Sequence, residues 1–229
     1  MDNLLEGLNE QQKKAVVHIK GPCLVIAGAG SGKTKVLTTR IAYLISQGIR
    51  SSNILAITFT NKAAKEMKER VAKLVPDNYA FLGTFHSLGV RILRENYMYL
   101  NLERNFTILD SDDVLGIIKK ILKDKGIDPK ECAPSYIRNR ISFIKNENLA
   151  DYEIDKFFNT PPEKIAKEVY LQYQEVIKKN NSVDFDDLLR LPVKLFKENR
   201  EVLEHYQEKF KYILVDEYQD TNEVQYQFN

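Results

Sequence analysis

Apolar residues in the first hundred positions fall into two alternating patterns. Cys23–Ile26, Ile54–Phe59 and Ala80–Phe85 are short apolar runs of strand length. Near-continuous apolar character predicts strands buried on both faces of a parallel sheet. Between these runs, Val36-Leu37, Ile41 and Leu44-Ile45, and later Leu88 with Ile92-Leu93, recur at helical spacing. A first helix is expected from Asn9, an N-cap residue with Gln12 three positions on, as in a capping box. From about Phe106 to Ser182 the strand–helix alternation stops. Val114-Leu115 to Ile121-Leu122, Ile137 to Ile144, and Ile165 to Ile177 all have helical spacing, with breaks at Gly126–Pro129 and Thr160–Pro162. Val183–Leu189 opens another helix, and Tyr212–Val215 is a last apolar strand. The expected class is α/β, a parallel sheet flanked by helices and interrupted by an all-helical insertion. The expected division is 1–105, 106–183 and 184–229.

The run Cys23–Ile26 leads into Ala27-Gly28-Ala29-Gly30-Ser31-Gly32-Lys33-Thr34 and then into a helical pattern. Strand, glycine loop and helix with Gly-Lys-Thr at the helix start is the context of a phosphate-binding loop, here with Ala27 in place of the usual first glycine. The glycines let backbone N–H groups turn inward around a phosphate. The helix start adds its positive dipole end. Lys33 is placed to reach β- and γ-phosphates, and the Thr34 hydroxyl to bind Mg²⁺.

A phosphate-loop enzyme also needs an acid at a strand end for Mg²⁺ and a group to direct the attacking water. Asp216 and Glu217, which close the strand Tyr212–Val215, suit those two roles. Phe59, Thr60, Asn61, Thr84 and His86 follow the other apolar strands, at the edge where open α/β sheets bind ligands. Structural alternatives stand beside them: a solvated face for the helix that Thr60-Asn61 starts, helix N-capping for Thr84 or Ser87, and an ordinary structural role for His86. Gln12 is either a capping partner or a reader of adenine. Asp184, Asp186 and Asp187 suit a helix dipole.

Charge narrows little. The 34 Lys and Arg exceed the 32 Asp and Glu by two, so any basic surface is local. The helix after Asn61 carries Lys62, Lys65, Lys68, Arg70 and Lys73 against Glu66 and Glu69. Arg138, Arg140 and Lys145 lie in a modestly basic stretch, where a solvated face competes with a nucleic-acid backbone contact. Cys23 and Cys132 have no metal or redox spacing, and no run approaches the ~20 apolar residues of a membrane span. A cytoplasmic protein with reduced thiols, a nucleotide site and no membrane contact is expected.

Taken in order, Leu8-Asn9 with Gln12, Ala27–Thr34, Ala56–Ala64, Gly83-Thr84-Phe85-His86-Ser87, Asp184–Leu188 and Val215-Asp216-Glu217-Tyr218-Gln219-Asp220-Thr221-Asn222 resemble the motifs of the UvrD/PcrA/Rep group of superfamily-1 DNA helicases. The resemblance covers essentially the whole chain. It implies a RecA-like first motor subdomain with a helical insertion, working in replication or repair as a 3′→5′ translocase on single-stranded DNA and at single-strand/duplex junctions, driven by ATP and Mg²⁺. It implies that Gln12 reads adenine and that Ala27, Gly28, Ala29, Gly30, Ser31, Gly32, Lys33 and Thr34 hold the phosphates. Lys35 stands beside the base, where several relatives carry arginine. Phe59, Thr60, Asn61, Thr84 and His86 would line the single-strand path. The group's second motor domain and arginine fingers would lie beyond Asn229. The expectation is therefore a piece of a longer helicase that binds nucleotide and DNA weakly and does not unwind. A helicase half of a helicase–nuclease and a passive DNA- or partner-binding module are the alternatives.

Overall fold

The computed structural model describes residues 2–147, 149, 151–221 and 224–225. In chain order the elements are α1 (Asp2–Leu5), α2 (Glu10–Val17), α3 (Lys33–Ser46), β1 (Ile54–Thr58), α4 (Asn61–Leu74), β2 (Phe81–Thr84), α5 (Phe85–Glu95) and β3 (Thr107–Leu109). Then come α6 (Ser111–Asp124), α7 (Pro134–Asn146), α8 (Asp151–Phe157), α9 (Pro161–Lys179), β4 (Ser182–Asp184), α10 (Asp187–Glu198), α11 (Arg200–Lys209) and β5 (Tyr212–Val215). The chain divides into two compact units, residues 1–85 with 200–220 and residues 86–199 with 221–229. The divisions expected at 105/106 and 183/184 both fall inside the second unit. The sequence after Asp220-Thr221-Asn222 predicts a further helix, most of which lies outside the described residues.

The first unit carries a three-stranded parallel sheet in the order β2-β1-β5. β1 is central and buried along its whole length, as its unbroken apolar run demands. Ile54 and Ala56 point to one face, where Leu82 and Leu214 join Ile41 and Leu44 of α3 and Met67 and Val71 of α4. On the other face Phe81 meets Phe210 edge-on, with ring centroids 6.5 Å apart. α2 begins with the expected capping box: Asn9 Oδ1 accepts from the Gln12 N–H, and Gln12 Oε1 accepts from the Asn9 N–H, both at 2.9 Å.

One sequence expectation differs here. Cys23–Ile26 forms no strand, and Leu24 and Ile26 are 73% and 89% exposed. A strand exists only where a neighbour completes its ladder. Among the described residues β5 pairs with β1 alone and is an edge, with a cavity of about 250 Å³ lined by Ile19, Arg40, Leu44 and Tyr212–Leu214 along it. The apolar composition of Cys23–Ile26 was sufficient to suggest a strand and insufficient to supply the partner.

The second unit has a helical core built from the predicted stripes. Val114, Ile118 and Ile121 of α6, Ile137, Ile141 and Ile144 of α7, and Val169, Tyr170, Tyr173 and Ile177 of α9 are all buried together. This block is not helical throughout. β3 and β4 pair in parallel, Thr107 to Ser182 through Leu109 to Asp184. Leu93 of α5, Phe106, Val183 and Leu188 pack around that ribbon. Two three-residue strands are too short to stand out by composition, and only the long-range pairing defines them.

Candidate nucleotide site and aromatic platform

The glycine loop runs straight into α3, whose first residue is Lys33 and second Thr34. Gly30 and Gly32 have φ of 74° and 84°, a left-handed conformation that costs a side-chain-bearing residue roughly 1–2 kcal/mol. Gly32 is the N-cap and brings no side chain of its own to the first N–H groups of α3. Free N–H groups and the dipole make that end a site for anions. Ser31 Oγ donates to the Gly28 carbonyl at 2.7 Å and folds the loop back on itself. Lys33 Nζ donates to the carbonyls of Ala27 (3.2 Å) and Gly28 (3.4 Å). The ammonium is thereby held on the loop rather than pointing away from it.

Gln12 does more than cap. Its Nε2 donates to the Ser31 carbonyl at 2.9 Å, tying α2 to the loop. An amide side chain has two N–H donors and two acceptor lone pairs. The loop contact and the capping box each use one, so one donor and one acceptor stay over. That is the pair an adenine edge requires, an acceptor at N7 and a donor at N6. Cap and base reader, competing interpretations of the sequence, are therefore chemically compatible. Lys35 Nζ donates to the Gly7 carbonyl at 2.8 Å and anchors the turn before α2.

Asp216 and Glu217 leave the end of β5. The Asp216 N–H donates to the Ile57 carbonyl at 2.9 Å, which extends the ladder one residue past the strand. Burial pushes the Asp216 carboxyl above the usual range, and the neighbouring Glu217 charge pushes it further. A divalent cation would reverse that tendency by favouring the ionised form. Glu217 sits at φ 51°, left-handed for a residue with a long side chain. Such backbone is sparsely populated and clusters at functional sites. Its Oε1 lies 3.9 Å from Lys33 Nζ, and its Oε2 accepts from Gln219 Nε2 at 2.6 Å. Lys33 and Glu217, 184 positions apart in the chain, thus converge at the end of β5. Magnesium takes oxygen ligands and usually keeps water and substrate phosphate in its shell, so the Thr34 hydroxyl and the Asp216 carboxylate are a suitable protein share.

The candidates for nucleic acid are distributed over both units. In the first, Phe59 is half-buried and packs edge-on against Phe85 with centroids 5.5 Å apart. Thr60 and Asn61 are exposed, and the Thr60 hydroxyl caps α4 by accepting from the Ala63 N–H at 3.1 Å. Thr84 pairs in register with Thr58 and is only 5% exposed. In the second unit His86 is half-buried, its ring tilted against Phe185 at 5.4 Å. Burial holds the imidazole below its ordinary value, with Asp186 pulling the other way. Phe185 itself is 53% exposed. Phe185 is not among the sequence candidates: its stretch stands out as a helix start and as one of the helicase-like motifs, with no role for the aromatic. A lone aromatic between acids was the available signal.

Two basic candidates are corrected. Lys145 lies on no solvated face and touches no solvent at all. Its ammonium bridges Asp184 Oδ2 (2.6 Å) and Asp187 Oδ2 (2.8 Å). Arg140 donates to the Phe157 carbonyl at 2.9 Å and lies over the rings of Phe143 and Phe158. Helical periodicity gave no warning of either, because Lys145 follows Ile144 directly and its acid partners lie about forty residues downstream.

The family described as UvrD/REP helicase N-terminal domain matches residues 8–229. The chain is 50% identical over 228 residues, 98% of its length, to the ATP-dependent DNA helicase PcrA of Bacillus subtilis (strain 168), of which this covers 31%. It is 50% identical over the same share to a probable DNA helicase II homolog of Rickettsia felis, covering 35% of it. It is 48% identical to the PcrA helicase of Staphylococcus aureus (strain Mu50 / ATCC 700699), covering 31%. The chain thus spans about a third of the length of the curated relatives it matches.

Proposed function

The chain belongs to the UvrD/REP helicase N-terminal domain family, and from that premise we propose that it is the ATP-binding part of an ATP-dependent 3′→5′ DNA helicase acting in replication or repair. One observation carries the reading: Lys33 of the glycine loop and Glu217 at the end of β5 meet at 3.9 Å, beside Asp216. The Lys33 ammonium then binds the β- and γ-phosphate oxygens, exchanging the loop carbonyls for anionic acceptors that bond it more strongly. Backbone N–H groups of Gly28–Thr34 surround the phosphates, and Gln12 reads the adenine edge with its remaining donor and acceptor. Lys35 supports the base from the turn it anchors. The Thr34 hydroxyl and Asp216 would hold Mg²⁺, which would supply positive charge against the phosphates. Glu217 orients the attacking water and accepts its proton, the role a strand-end carboxylate close to the phosphates can fill.

Single-stranded DNA is the proposed partner, with strand–duplex junctions for the longer protein. Its bases stack on Phe59 in the first unit and on the His86–Phe185 pair in the second, since aromatic faces accept any base. Thr60 and Asn61 offer polar contacts to the backbone, and Thr84, buried in register with Thr58, acts through its neighbours rather than by broad contact. We place the helical unit as the family's insertion subdomain and the protein in the cytoplasm. Among the described residues no helix is long and apolar enough to cross a membrane. Titrating Mg–ATP against the chain and its Lys33→Ala variant tests the reading. Clearly weaker binding by the variant is expected. Equal binding would leave only a passive DNA- or partner-binding module.

A further inference from the structure

Four buried polar groups meet in the second unit, and the nucleotide chemistry uses none of them. Lys145 comes from α7, Tyr173 from α9, Asp184 from the end of β4 and Asp187 from the start of α10. Lys145 Nζ lies 2.6 Å from Asp184 Oδ2 and 2.8 Å from Asp187 Oδ2. The Tyr173 hydroxyl donates to Asp184 Oδ2 at 2.8 Å. The two acids also bind each other's backbone: the Asp187 N–H donates to Asp184 Oδ1 at 3.0 Å, and the Asp184 N–H to Asp187 Oδ2 at 3.3 Å. Burial alone would lower the Lys145 ammonium, but Asp187 and Asp184 outweigh it and hold it charged.

Such a cluster is an expensive way to hold helices together. Apolar residues of the same volume generally do as well or better, so geometry rather than stability is the more reasonable return. What this geometry fixes is a four-residue turn, Asp184-Phe185-Asp186-Asp187. With both ends of the turn pinned and Asp186 Oδ1 accepting from Asn146 Nδ2 at 3.0 Å, Phe185 is directed outward. The His86 side of the platform is fixed separately. A Cβ on Gly89 of α5 would stand 1.9 Å from the Leu188 carbonyl oxygen, so only glycine lets α5 lie this close to the start of α10.

We propose that Lys145, with Asp184, Asp187 and Tyr173, is a positioning cluster that holds the Phe185 ring against His86 in the orientation needed to stack a nucleic-acid base. Lys145 touches no base. It acts through the turn, and it makes base stacking depend on α7 and α9 of the helical block. This rests on the proposed single-strand binding at His86 and Phe185.

The test compares affinity for a short oligothymidylate with affinity for a phosphodiester spacer chain of equal length that has no bases. The ratio isolates stacking from phosphate attraction. Phe185→Ala should lower the ratio roughly five- to 150-fold, the range of one stacked base. Lys145→Met should lower it nearly as far, and Tyr173→Phe in the same direction but less. Spacer binding should stay unchanged in all three, which general unfolding would not allow. Where Lys145→Met fails to fold, the triple variant Lys145→Met, Asp184→Asn, Asp187→Asn, which leaves no uncompensated charge, and Tyr173→Phe decide. A ratio unchanged in these variants while Phe185→Ala lowers it overturns the positioning role and leaves the binding site standing. A ratio unchanged by Phe185→Ala itself overturns both.

Discussion

The glycine loop and the Lys145 cluster each place a lysine near carboxylates, and they do it by opposite means. At the loop the backbone does the work. Left-handed glycines and a helix start shape the site, Lys33 is partly exposed, and its distance to Glu217 is a loose 3.9 Å. In the cluster side chains do the work: Lys145 is wholly buried and bound within 2.8 Å by two acids. A site that must exchange a ligand keeps its cation weakly held and wet. A site that must hold a turn removes water and satisfies every charge.

Substitutions that break this contrast should separate stability from affinity. Lys145→Met leaves two buried acids without their counter-ion and is expected to cost about 3–5 kcal/mol of stability, read from denaturant unfolding. Lys33→Ala is expected to change stability by less than about 0.5 kcal/mol, as at most partly exposed positions. It should instead weaken nucleotide binding by about 1.5–3 kcal/mol, the range for hydrogen bonds to a charged group, measured by calorimetric titration. Comparable stability losses from both would erase the distinction.

Legibility in the sequence follows the same division. Ala27–Thr34 could be read because its chemistry is local: glycine conformation, helix start and lysine all lie within eight residues. The strands Ile54–Thr58 and Tyr212–Val215 were readable from unbroken apolar runs. Lys145 was not, because burial of a lysine depends on acids brought to it by the fold. β3 and β4 were missed for a related reason, since neither has enough residues to show a pattern without the other. Cys23–Ile26 shows the converse, a strand-like run with no partner strand among the described residues. Gln12 was ambiguous from sequence; its geometry makes the cap and the loop contact and leaves one donor and one acceptor unused.

Smaller effects sharpen the account of the platform. Gly89→Ala should destabilise the chain by about 1–3 kcal/mol, the usual cost of overpacking, because the new methyl meets the Leu188 backbone rather than a movable side chain. An unchanged unfolding midpoint would show that α5 can shift away from α10 freely. The smallest effect is a pH dependence. His86 is held below its ordinary value, so the unfolded chain binds the proton more readily. Stability should therefore fall as pH drops through the ordinary histidine range near about 6.5, and remain intact above it. Asp186, raised chiefly by burial, contributes in the opposite sense. The readout is thus the difference between the chain and its His86→Phe variant across about pH 7.5 to 5.5. A variant with the same pH dependence as the parent would contradict the assignment.

On the proposed function, nucleotide and single strand are received by different, separately built residues. Backbone amide shifts measured by NMR test it most directly, first with Mg–ADP and then with oligothymidylate. Nucleotide is expected to move the amides of Gln12, Gly28–Thr34, Asp216 and Glu217, and the oligonucleotide those around Phe59–Asn61, His86 and Phe185. Nucleotide shifts that spare Gly28–Thr34, or oligonucleotide shifts confined to that loop, would contradict it.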